Sequence, residues 1–136
     1  LFRILALLLL LTVPADRAMA QDAPADAIAA VISDQLANFN ERDANAAFEH
    51  ASPTIQGIFG NAANFGMMVQ RGYPMVWTNG STRFLDLEMR RGAWFQTVQI
   101  EDAQGVFHLL EYKMIETPDG WRIDGVRILP NPDLGV

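Results

Sequence analysis

The sequence contains no cysteine. That absence excludes disulfides, thiolate nucleophiles and lipid attachment through sulfur, and leaves packing as the source of stability. Histidine is nearly missing too, with His50 and His108 the only two. Two imidazoles on different elements, with no second ligand at helical spacing from His50, do not make a metal set, so no metal is expected. Basic clusters are absent apart from Arg90 and Arg91, and the formal net charge is −6. An acidic chain without a basic patch has no electrostatic reason to bind DNA, RNA or anionic lipid. Ser33, Ser52 and Ser81 lack a G-x-S-x-G elbow, and Gly57, Gly60, Gly66 and Gly72 are too scattered to cradle phosphate. No cofactor is expected. No apolar run reaches the ~20 residues that cross a bilayer as a helix.

The first segment present is a leader. Arg3 supplies a positive end, Ile4 to Val13 an apolar run, and Ala18-Met19-Ala20 a small-x-small cleavage site. This is the layout of a secretory signal peptide over residues 1–20, cut before Gln21. Its loss removes Arg3, Arg17 and Asp16 and makes the remainder one charge more negative. Residues 21–136 are then expected to form a single domain of ordinary size. An exported domain without disulfides reads as a resident of a bacterial periplasm, with no membrane span once the leader is gone.

The period of the apolar residues changes once along the chain. Ile28, Val31, Ile32, Leu36 and Phe39 recur at helical spacing across 25–40, with Asp22 or Asp26 available near the start as a cap. Asp43 can cap a second helix, "ANAAFEHA", that presents Ala47, Phe48 and Ala51. Ser52-Pro53 reads as a cap followed by proline in the first helical position, opening a short helix that Gly60 ends. Asn61 starts another, with Phe65, Met68 and Val69 inward and Gly72 as the stop. In "RGYPMVW", Pro74 removes a backbone donor, and the segment reads as a loop entering an edge strand.

Beyond Tyr73 the period is two. "TRFLDLEMR" sets Leu85, Leu87 and Met89 against Phe84 and Asp86. "AWFQTVQIE", "VFHLLEYKMIET" and "GWRIDGVRIL" follow after short, Gly-containing connections, which predicts antiparallel hairpins. In the last strand a bulge at Asp124-Gly125 would return Val126 and Ile128 to the face of Trp121 and Ile123, leaving Arg122, Asp124 and Arg127 outside. Asp124 is then a shaping residue and not a reagent. Helices followed by a strand meander predict an α+β fold, with N-terminal helices packed on one face of a curved antiparallel sheet.

"NFNERDANAAFEHASPTI" resembles the helix-loop-helix opening of nuclear-transport-factor-2-like (SnoaL-like) domains, and "GWRIDGVRIL" resembles their terminal strand. Within that superfamily, "FGMMVQRGYPMVW" and its spacing to "GWRIDGVRILP" are similar to the exported proteobacterial family known as domain of unknown function 4864. The resemblance implies a cone of curved sheet closed by helices, with a cavity at the wide end. In relatives that cavity hosts isomerases, dehydratases and cyclases, or plain binding and protein contacts. Fold alone does not choose among these.

Acid–base chemistry in such a cavity would need a buried Asp or His opposite a donor such as tyrosine. His108, Tyr112 and Glu116 are the candidates, all on one parity of the third strand, with His108 and Tyr112 roughly 13 Å apart along it. No position matches a catalytic dyad of the superfamily. Met67, Met68, Tyr73, Met75 and Trp77 gather where helices give way to sheet, and Trp94, Phe95 and Trp121 come from strands. Core filling is the plain account of these residues. The sharper one is an apolar binding site drawn from Met68, Tyr73, Trp77, Trp94, Gln96, Tyr112 and Trp121, with Gln96, Tyr112 and Tyr73 as polar handles. The expected function is binding, of a small apolar ligand in the cavity or an envelope protein at the open sheet face, where a homodimer is also expected. A lyase or isomerase using His108 or Tyr112 is the alternative.

Overall fold

Residues 24–130 are described by a computed structural model. The first apolar stripe forms α1 (Ala25–Asn40), which buries Ile28, Ile32, Leu36 and Phe39 along one side. Among the described residues no side chain caps it: Pro24 stands at the N-cap, Asp26 lies in the first turn, and Asp22 falls outside the described residues. Asp43 caps α2 (Ala44–Glu49) by accepting from Ala46 N. That helix is shorter than the apolar pattern predicted, because Ala51 leaves it to form a parallel bridge with Ile123.

Ser52 caps α3 (Pro53–Phe59), accepting from Ile55 N, and Gly60 closes that helix at a φ of 80°. Asn61 caps α4 (Ala62–Gly72) in the same way through Asn64 N. Gly66 faces α2, where an added Cβ would meet Ala44 Cβ at 3.2 Å, so glycine sets how near the two helices come. "PMVW" is not a strand entry. It is one further helical turn, α5 (Pro74–Trp77), because Pro74 takes the first helical position, where a missing N–H costs nothing.

Four strands follow: β1 (Asn79–Arg90), β2 (Ala93–Asp102), β3 (Phe107–Thr117) and β4 (Gly120–Leu129). They form one open, curved antiparallel sheet in sequence order. The fold is α+β, with the helices on one face. Val98 and Ile100 of β2, Leu110, Tyr112 and Met114 of β3, and Ile123 of β4 meet α1, α4 and α5 in the core. On the other face Glu111 accepts from Arg90 at 2.6 Å and Arg127 at 3.0 Å. Arg90 also lies 4.0 Å over the Phe95 ring.

Two strands depart from strict alternation. In β4 the register passes from Lys113↔Gly125 to Met114↔Ile123, so Asp124 is the extra residue of a bulge. Val126 and Ile128 then pair with the inward Tyr112 and Leu110, although Ile128 remains 44% exposed near the strand end. In β1 the register passes from Phe84↔Val98 to Leu87↔Gln96, so Leu85 and Asp86 together oppose one residue. Phe84 and Leu87 therefore share the inner face, and Leu85, which alternation would place with Leu87, is turned outward.

The corner between α1 and α2 is tied to the sheet entrance by polar side chains. Arg42, at a φ of 60°, donates to Phe39 O at 3.0 Å, to Thr78 Oγ1 at 2.8 Å and to Trp77 O, and its guanidinium lies 4.4 Å over the Trp77 ring. Asn40 and Asn79 exchange hydrogen bonds beside it, and Asn79 also reaches Leu36 O and Val76 O. Among the described residues no helix is long and apolar enough to cross a membrane.

Candidate functional site

Between the helices and the inner face of β3 and β4 lies a cavity of ≈210 Å³. Each wall follows from a local feature of the sequence. The periodic face of α4 supplies Phe65, Met68 and Val69, and α3 supplies Ile55 and Phe59. Tyr112 and Ile123 form the sheet side, and the β4 bulge adds Val126 by turning it inward. Tyr73, at the junction of α4 and α5, reaches across and donates its hydroxyl to Val126 O at 2.9 Å. Gln35 enters from α1, and its amide nitrogen is held by Ala47 O at 3.1 Å. No lining residue carries a charge.

Tyr112 is the unusual member. It is 0% exposed, and its hydroxyl has no hydrogen-bond partner among the described residues. Burial, with a smaller contribution from the neighbouring Tyr73, pushes its phenol well above the ordinary tyrosine value. The group therefore stays protonated and can donate, but it is no base near neutrality. A buried hydroxyl without a partner is costly, about 1–3 kcal/mol.

Three of the expected binding residues, Met68, Tyr73 and Tyr112, line this cavity, and four do not. Trp77 is engaged by Arg42 and Phe39 and borders a separate depression of ≈220 Å³. Gln96 is 2% exposed, and its amide nitrogen lies within hydrogen-bonding reach of Leu85 O, Asp86 O and Thr97 O, so it braces the β1 bulge. Trp94 and Trp121 pack against the core from the strands.

His108 borders the same depression as Trp77, so it and Tyr112 do not share a cavity. Its Nε2 lies 2.8 Å from Asp102 Oδ2, while Asp102 Oδ1 accepts from Gln104 N and Val106 N. The hydrogen bond from His108, followed by that from Val106, lowers the Asp102 pKa. This pair ties the β2–β3 turn together. Among the described residues, no group of three or more His, Asp or Glu side chains could hold a metal ion.

Residues 21–136 match the family described as "Domain of unknown function (DUF4864)". The chain belongs to that family. No curated protein and no solved structure matches it. Sequence reasoning missed Gln35, Phe59 and Phe65 as lining residues. Gln35 had left a signal: it is a polar residue on the buried side of α1, three residues beyond Ile32 and four before Phe39.

Proposed function

We propose that this domain is a binding protein whose cavity between helices and sheet takes a small, largely apolar molecule. The observation that carries the reading is the Tyr112 hydroxyl, buried without a partner among the described residues, on a residue that lines a hollow with uncharged walls. Such a lining with few polar groups is the usual makeup of a small-molecule site. The open sheet face supports a protein partner or homodimer less well, because the Arg90–Glu111–Arg127 and Lys113–Asp124 ion pairs keep its centre polar. The lyase or isomerase alternative has less support too, since the cavity holds Tyr112 but neither His108 nor a carboxylate.

Helical segments ahead of a curved meander support placing the family among nuclear-transport-factor-2-like folds. The charged, apolar and small-residue order of residues 1–20 supports export to a periplasm, as does a family match that begins at residue 21. Native mass spectrometry of protein purified from its expression host tests the binding reading. Wild type is expected to carry a removable adduct that Met68→Trp, which fills the hollow, excludes. A bare wild-type chain, or an adduct of equal occupancy in Met68→Trp, would count against it.

A further inference from the structure

Resting on the cavity reading above, we infer that the bound molecule is uncharged and carries an oxygen that accepts a hydrogen bond from Tyr112, as a small ketone, aldehyde or ester does. The polar side chains of the cavity differ in what they have left to offer a ligand. Tyr73 donates its hydroxyl hydrogen to Val126 O, and the Gln35 amide donates one N–H to Ala47 O and keeps a second. The Tyr112 hydroxyl is the one lining group that is buried with no hydrogen bond at all among the described residues. Its complement is an acceptor, and a pure hydrocarbon would leave the hydroxyl as costly as before.

Charge is excluded by the same walls. The lining contains no Lys, Arg or His to meet a carboxylate, and no Asp or Glu to meet an ammonium. An ion brought to Tyr112 would be desolvated without a partner, which costs several kcal/mol in general. An ion kept at the mouth would leave Tyr112 unpaired. Volume sets the size class. An apolar cavity of about 150 Å³ holds benzene, and the ≈210 Å³ here takes a molecule a few heavy atoms larger.

Acetophenone, α-methylstyrene and benzoate form a nearly isosteric series, in which α-methylstyrene replaces the carbonyl oxygen of the ketone with CH2 and benzoate replaces its methyl group with a charged oxygen. Their affinities for wild type, Tyr112→Phe and Met68→Trp can be read by NMR shift titration, with each variant's amide spectrum confirming the fold. Wild type is expected to bind acetophenone several-fold and up to about tenfold tighter than α-methylstyrene, the range of one net hydrogen bond. Benzoate is expected to bind on the order of a hundredfold more weakly than acetophenone. Tyr112→Phe should bind the ketone and the hydrocarbon equally. Equal affinities in wild type, a ketone preference that survives Tyr112→Phe, or benzoate binding as tightly as acetophenone would overturn the inference. With Met68→Trp still blocking the probes, the cavity reading would stand. Probes that bind Met68→Trp as well as wild type, or that fail to bind wild type at millimolar concentration, would remove both.

Discussion

Ser52 Oγ donates to Asp124 Oδ1 at 2.7 Å, joining residues 72 positions apart. The same hydroxyl oxygen accepts from Ile55 N, and the backbone beside it pairs with Ile123. One serine thus starts α3 and holds the bulge that turns Val126 into the cavity. Ser52→Ala is expected to cost about 2–3 kcal/mol, combining a lost cap with a lost hydrogen bond to a carboxylate. Urea unfolding measures it, and Asp124→Asn, which keeps an acceptor, should lose less. A loss under 0.5 kcal/mol for Ser52→Ala would contradict the role.

Gln96→Leu removes the donor that serves the carbonyls of the β1 bulge. The expected cost is about 1–3 kcal/mol. It should be accompanied by faster amide exchange over 84–87, with the β3–β4 pairing unaffected. Uniform acceleration across the sheet would mean that Gln96 supports the whole core instead of the bulge.

Tyr112→Phe has the opposite expected sign. The hydroxyl makes no hydrogen bond among the described residues, so its removal relieves a desolvated group. Thermal unfolding without added ligand should show stability unchanged or raised, by up to about 1 kcal/mol. A loss above that size would show that the hydroxyl already has a stabilising partner.

Two groups give the domain an acid-sensitive stability. Burial lowers the His50 pKa, opposed by Asp34, with Arg122 lowering it further and Glu49 raising it. The unfolded chain therefore takes up this proton first, and the His50 contribution is present above about pH 6.5 and lost as pH falls towards the folded value. His50→Gln should flatten the dependence of unfolding free energy on pH as the pH falls below about 6.5. Asp102 acts in a lower window, because its depressed folded pKa gives stability present above the ordinary aspartate value and lost as pH falls through the depressed one. In His108→Gln, carboxyl NMR should place the Asp102 titration nearer to the ordinary value.

Much of the fold was legible in local chemistry. Asp43, Ser52 and Asn61 announced three helix starts because each precedes an apolar periodic run, and Gly125 inside a strand announced the β4 bulge. The β1 bulge gave no such sign. Leu85 and Leu87 alternate well on paper, and the register shift depends on Gln96, a residue of the next strand. Pro74 was ambiguous because the same missing N–H suits a strand edge and a first helical position. The site was legible in part for a similar reason. Aromatic identity does not reveal whether a residue borders a cavity, as Tyr112 does, or packs under a guanidinium, as Trp77 does.

The most direct test is an isotope-filtered NOE experiment on wild type with acetophenone. Contacts from the probe to the methyl groups of Ile55, Met68, Val69, Ile123 and Val126 are the predicted result. Contacts confined to outward residues such as Leu85, Leu109 and Leu129 would place binding on the sheet face and contradict the account.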